Sequence, residues 1–397
     1  MYSLFAITTA SFAGLSLASP LVSRCTGTIS SLDDVTDAVK CTEIDIESFE
    51  VPAGQTFELD LTQGTTVNIR RLSFDNFDPQ EGNITFGVSN WDGPLFKVSG
   101  KDITFNGNGY TFDGNGPDYW DGQGLNGGVT KPAPMMKIEI SGVYQDVIVL
   151  NSPARAYSVD SSEPLLMTSL TVDDSLGDQP NSMSDGKPAG HNTDGFDVSA
   201  SNLVISNSKV NNQDDCLAIN KGTNITFTGN TCTGGHGISI GSVSSNVVVS
   251  DIQITNNMVI NNQQGFRIKT DADATNSSVS SVTYSGNTAT GCTDYGVIVD
   301  QSYPSTLGTP GNGVTISDIN FTGSETDVAV SSDAERVAVN CGSGSCTGTT
   351  FLSVRKRKML MPVFAEIGTW NWSELEVSGG EAGSISGFSG ITGFSQS

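Results

Sequence analysis

The sequence predicts an all-β fold, a parallel β-helix (solenoid), and three observations carry that prediction. The composition is rich in turn formers, with 45 Gly in 397 residues and 16% charged residues, unlike a helix-rich enzyme dominated by Glu, Lys, Leu and Ala. Short β-prone runs begin at asparagine and recur as Asn202–Ser206, Asn224–Thr228 and Asn246–Ser250, their starts evenly spaced. No helical pattern interrupts them. A period of about 20 to 30 residues made of several short strands is the mark of a solenoid, whose coils touch only the coils above and below, about 4.8 Å away. A β-sandwich would instead place turns between antiparallel strands at spacings of about 8 to 12 residues, without such a register.

From the N-terminus, Met1-Tyr2-Ser3 leads into the apolar, small-residue stretch Leu4–Ala18, which reads as a secretory signal (residues 1–18) although it lacks a positive n-region. A short pro-segment over 19–24 would end at Arg24, directly before Cys25. No other apolar run approaches the roughly 20 residues of a membrane span, so the mature chain is expected to be secreted and soluble, as a monomer. The seven cysteines of a secreted chain imply disulfides. Cys25 with Cys41, Cys216 with Cys232 and Cys341 with Cys346 close the shortest loops and leave Cys292 free. Sequons at Asn83, Asn224, Asn276, Asn320 and Asn371 are glycosylation candidates.

The solenoid strands continue through Cys216–Ile219, Gly237–Ile240, Gly265–Lys269, Val282–Tyr284 and Val314–Ile316, bounded by Asn and Gly. Residues 25–397 thus form one β-helix domain, with an atypical segment at 347–368. That segment holds Arg355-Lys356-Arg357-Lys358 and the apolar run Met359–Phe364, foreign to so acidic a chain. A translated intron with a displaced frame explains it more simply than a basic docking patch.

The formal net charge of −24 excludes a nucleic-acid binder, which needs a basic footprint. An anionic partner would need cations placed locally against the general repulsion. Four polar clusters stand on the ladder: Asn192-Thr193-Asp194, Asp214-Asp215, Gly235-His236-Gly237 and Arg267-Ile268-Lys269. The steps from Asp194 to Asp215 and from Asp215 to His236 are equal in length, one coil each, so these side chains stack on one face. Converging carboxylates are what glycoside hydrolysis requires: one acid to protonate the leaving oxygen, one carboxylate to activate water or attack. Mutual repulsion raises the pKa of at least one of them. Residues two apart on a strand share a face, so Arg267 and Lys269 point together while Ile268 turns inward, supplying the local cations for a substrate carboxylate. Asp214 and Asp215 cannot both face a cleft from a regular strand, which predicts a turn or bulge there. His191 is the only other histidine, and no Cys-His spacing suggests a metal site.

The strings HNTDGFDV (191–198), DDCLAIN (214–220), CTGGHGISIGSV (232–243) and RIKT (267–270), in this order and spacing, resemble the signature of the polygalacturonase family of glycoside hydrolases, the fungal endo-acting members above all. The likeness runs from about Cys25 to Cys346. It implies inverting hydrolysis of the α-1,4-galacturonosyl bonds of homogalacturonan (pectin) on a right-handed parallel β-helix, without metal or cofactor. Asp214 would be the general acid, Asp194 and Asp215 would hold the attacking water, and His236 would support the acid. Arg267, Lys269 and Tyr295 would bind substrate, with Asn192 in the same cleft. The departure from the family's pattern is C-terminal, where a final cysteine pair is missing. An exo-acting enzyme, a rhamnogalacturonan or xylogalacturonan hydrolase, a pectate lyase and a non-catalytic polysaccharide-binding β-helix remain as alternatives.

Overall fold

A computed structural model of the protein describes residues 25–70, 83–348 and 369–396. The expected signal and pro-segment, and all but the first two residues of the 347–368 segment, lie outside them. Strands from Thr26–Ile29 onward join one 28-stranded sheet, and every pairing in it is parallel, each strand bonded to its counterparts in the coils before and after. The chain is a parallel β-helix. Among the described residues, no helix is long and apolar enough to cross a membrane.

The register fixes the core. One inward row runs Phe57, Phe96, Met136, Tyr157, Phe196, Leu217, Ile238, Phe266, Val297 and Val337, each hydrogen-bonded strand to the next. All ten are buried. Removing such side chains from water drives the coils to stack, at about 25 cal/mol per Å² of apolar surface. Tyr157 stacks flat on Phe196, 5.2 Å between ring centroids.

The corners are equally periodic. Asn202, Asn224, Asp251, Ser281 and Asp318 occupy equivalent places and all have φ between 55° and 59°, the left-handed region that Asn and Asp tolerate best. One expectation is corrected here. Thr223 pairs with Ser250 and Ile225 with Ile252, so the counterpart of Asn224 is Asp251, not Asn246. Extra residues lengthen that coil, and Asn246 belongs to another corner, where it accepts from Asn276 Nδ2 at 2.9 Å. The even spacing of the three asparagines therefore marks a true repeat only over Asn202 to Asn224.

Inside a third corner, Asn230, Asn257 and Asn287 form a buried ladder. The side-chain oxygens of Asn257 and Asn287 each accept the backbone N–H of the preceding asparagine, and all three amides donate to a carbonyl of the coil before. At the N-terminal end the helix Val35–Ala38 packs on the strand Thr26–Ile29. At the C-terminal end Trp370 and Trp372 are fully buried against Phe321, Phe388 and Phe394. Two excursions, 114–131 and 174–190, leave the coils and brace each other. Gly122 N donates to Ala189 O (2.8 Å) and Asn181 Nδ2 to Trp120 O (2.8 Å). They rise beside the ladder face that carries the polar clusters. The disulfides are Cys25–Cys41, Cys216–Cys232 and Cys341–Cys346, and Cys292 is a buried thiol.

Candidate active site

Two residues before the inward row, where the strands begin, the coils present Asp194, Asp215 and His236 in succession. Gly195 N donates to Asp215 O (2.8 Å) and His236 N to Asp214 O (2.7 Å), which ties the three coils together at this point. Asp214 and Asp215 lie in a bend just before the strand Leu217–Thr228. The bend lets both side chains serve one site, because Asp214 Oδ1 turns back to accept the Asp215 N–H at 2.8 Å. Asn212 holds the bend from inside, its amide donating to Thr193 O (2.8 Å) and Asp215 O (3.0 Å). The glycines flanking His236 serve coil stacking: a Cβ on Gly235 would strike the Asp214 carbonyl, and one on Gly237, at φ +88°, the Gln264 carbonyl.

Asp215 is fully buried and saturated. Its Oδ1 accepts from Ser239 Oγ (2.8 Å) and Arg267 Nη2 (2.5 Å), its Oδ2 from Lys269 Nζ (2.7 Å). Arg267 Nε also donates to Ser239 Oγ (3.0 Å). Ile268 is buried in the core between the two cations. Arg267 and Lys269 do share a face, and there they are first of all the partners of a buried carboxylate that could not stay ionised alone. Lys269 is further covered by the Tyr303 ring, 5.1 Å from its centroid. A carboxylate already taken by two cations makes a poor ligand for a metal ion, although Asp214, Asp215 and His236 have donor atoms within 4.8 Å of one another.

Asp214 accepts from His236 Nδ1 (3.0 Å) and from Asn192 Nδ2 (3.1 Å), and Asn192 is itself fixed by the Leu125 N–H (3.0 Å). The three acids differ sharply in proton affinity. Burial raises Asp194 well above the usual carboxylate range, and the charges of Asp214, Asp197 and Asp215 add to this. Burial also pushes Asp214 up, but hydrogen bonding and charge from His236, with Lys269 and the Asp215 N–H, outweigh it and hold Asp214 far below that range. Asp215 is likewise pushed up by burial and brought below its ordinary value by Arg267 and Lys269. Of the three, Asp194 has the strongest tendency to hold a proton. This is the splitting that close carboxylates produce.

A hollow of ≈ 230 Å³ opens over Asn192, Asp194, Asp197, Asp215, Lys269 and Tyr303. Tyr295 is placed farther along the ladder, level with Gln264 and so beyond His236, and it does not line that hollow. Burial raises its hydroxyl pKa. The sequence reading did not single out Asp197, Asn212, Ser239, Tyr303 or Arg155, which pairs with Asp197 (Nη1 to Oδ2, 3.2 Å). Asp197 and Ser239 lie inside the motif strings themselves. Of the sequon asparagines, Asn224, Asn276 and Asn371 are exposed and Asn83 and Asn320 half-buried.

The sequence profile of Glycosyl hydrolases family 28 matches residues 41–357. Endopolygalacturonase A of Aspergillus awamori is 39% identical over 405 residues, covering 94% of each chain. Among solved structures, endopolygalacturonase I from Stereum purpureum, in complex with two galacturonates, is 45% identical with a TM-score of 0.78, covering 90% of this chain and 96% of that one. The endo-xylogalacturonan hydrolase of Aspergillus tubingensis shares the fold at 21% identity and a TM-score of 0.57. With three aspartates, a histidine and two cations gathered on one face of a parallel β-helix, and with these likenesses along nearly its whole length, the chain belongs to Glycosyl hydrolases family 28.

Proposed function

We propose that the protein is a secreted, monomeric endo-polygalacturonase that hydrolyses the α-1,4-galacturonosyl bonds of homogalacturonan with inversion. The observation that carries this reading is the pair Asp194 and Asp215 lining one hollow, with Asp214 bonded to the Asp215 N–H and to Asn192 at its edge, His236 on Asp214 and two cations on Asp215. Asp214 is the general acid. Asp194 and Asp215 hold the attacking water, and Arg267 and Lys269 turn their remaining donors to the galacturonate carboxylate.

The reaction needs one proton among the three acids, and Asp194, whose pKa is raised, is the one that favours it in the free site. Arrival of an anionic sugar, with expulsion of water, moves it toward Asp214, next to the His236 N–H. Asp214 then gives one proton to the leaving glycosidic oxygen, while the attacking water loses one to the carboxylates opposite. Atoms balance as the addition of one water across the bond. His236 orients Asp214 through its Nδ1–H, and the proton taken from the water restores the one that the acids share.

The test is product analysis on polygalacturonate. A ladder of saturated oligogalacturonates, released with inverted anomeric configuration and a rapid fall in viscosity, is the expected result. Release of monomer alone would make the enzyme exo-acting, and products absorbing in the unsaturated-uronide band would make it a lyase. Either outcome defeats the reading.

A further inference from the structure

Arg155 extends the catalytic row by one coil. Tyr157 pairs with Phe196, and Ala156 N donates to Asp194 O (2.8 Å), so Arg155 stands level with Asp194, directly upstream on the ladder. A second hollow of ≈ 440 Å³ lies there, walled by the 124–131 loop with Asp92 and Ala133. It meets the aspartate-lined hollow at Leu125 and Arg155, which line both. A chain of sugars lying along the helix axis across Asp194 would pass Arg155 next, because successive coils are separated by only about 4.8 Å.

The charge at Arg155 is available in a way that the other cations of the groove are not. Arg267 and Lys269 are both bonded to Asp215, and Lys131 is buried against Asp121 (2.9 Å). The Arg155 side chain is 41% exposed and, among the described residues, makes one hydrogen bond, to Asp197, while its enclosed Nε meets no partner. Burial raises the Asp197 carboxyl in spite of Arg155, which leaves the guanidinium incompletely neutralised.

We infer that Arg155 is a substrate-binding residue, gripping the carboxylate of the hexuronate unit that lies one coil upstream of the catalytic aspartates, with the 124–131 loop as the wall of that subsite. The inference rests on the polygalacturonase reading and names a residue and a subsite within it. Arg suits the task because its planar donor fork matches a carboxylate, and a charge-assisted pair of this kind outweighs a half-exposed ion pair with Asp197.

The experiment titrates tetragalacturonate, by calorimetry, into the Asp214→Asn protein, so that substrate is not consumed, and into the same protein carrying Arg155→Gln or Arg155→Lys. About tenfold weaker binding is expected for Arg155→Gln, the equivalent of about 1.4 kcal/mol, with partial recovery in Arg155→Lys and a shallower dependence of affinity on salt. The fully methyl-esterified tetramer should bind Asp214→Asn with and without Arg155→Gln within a factor of two. Thermal unfolding of each variant excludes misfolding as the cause. Binding of tetragalacturonate by the Asp214→Asn parent, with an unchanged constant in Arg155→Gln, overturns the inference alone. Absence of binding by the parent overturns the polygalacturonase reading and this inference together.

Discussion

The chemistry of the site turns on what each carboxylate is allowed to touch. Asp215 and Asp214 are surrounded by donors and cations and stay ionised, whereas Asp194 has neighbouring charges mostly of its own sign. The consequences for stability have opposite signs. Asp214 and Asp215 have depressed pKa values, so they stabilise the fold above the ordinary carboxylate pKa of about 4, and that contribution is lost on acidification. Asp194 has a raised pKa, so the native state prefers it protonated. Its contribution is fully present below about pH 4 and declines as pH rises toward its folded value. Asp194→Asn keeps the neutral form at every pH. It should therefore raise Tm at pH 7, leave Tm nearly unchanged near pH 4, and lower kcat by about 10³ through loss of a water-holding group. Calorimetry at the two pH values and initial rates check this. A variant less stable than wild type at pH 7 would show that Asp194 is stabilised as an anion, contrary to the present account. Arg267 and Lys269 are accordingly structural as well, because truncating either strands a buried charge on Asp215.

At the level of elements, the corners hold the coils in register. Asn257 is almost fully buried; its oxygen accepts the Asn230 N–H (2.9 Å), and its amide donates to Phe227 O (2.9 Å). Asn257→Leu would leave both backbone groups unmet inside the helix, at about 1–3 kcal/mol each. We expect a loss of about 3 kcal/mol in urea unfolding with kcat and KM unchanged, since no site residue touches this corner. A change no larger than that of an ordinary surface substitution, about 0.5 kcal/mol, would mean that water reaches the ladder. These corners also explain what the sequence makes legible. Where a coil is one uninterrupted repeat, spacing reads directly into space: Asp194, Asp215 and His236 follow one another at equal steps, and they stack. Where a loop enlarges the coil, the period fails. Asn246 is assigned out of register because the coil after Asn224 is longer, and Arg155 escapes notice because the 174–190 excursion separates it in sequence from Asp194, its neighbour in space. Tyr303 and Ser239 touch the site through packing of neighbouring coils, which leaves no periodic trace in the chain.

At the level of the molecule, an acidic protein acts on an acidic polymer. The formal charge of −24 opposes approach over distances of a Debye length, about 10 Å at 0.1 M salt. Within the groove the balance differs. Arg155, Arg267 and Lys269 are paired with Asp197 and Asp215 there, and burial raises the pKa of Asp194 and Asp197, so the groove is less negative than its surroundings. Salt acts on these two ranges in opposite directions. Screening first removes the long-range repulsion, which hastens encounter; at higher concentration it weakens the cation–carboxylate contacts of the bound sugar. The expected result is a maximum in kcat/KM on polygalacturonate at intermediate ionic strength, with activity lower at about 0.01 M and again at about 1 M. A methyl-esterified polymer carries less charge and should show a flatter curve. Initial rates across a sodium chloride series on substrates of graded esterification measure this directly. A monotonic fall from the lowest salt would mean that the groove's cations govern the approach as well as the contact. The acidity of the remaining surface would then carry no kinetic cost.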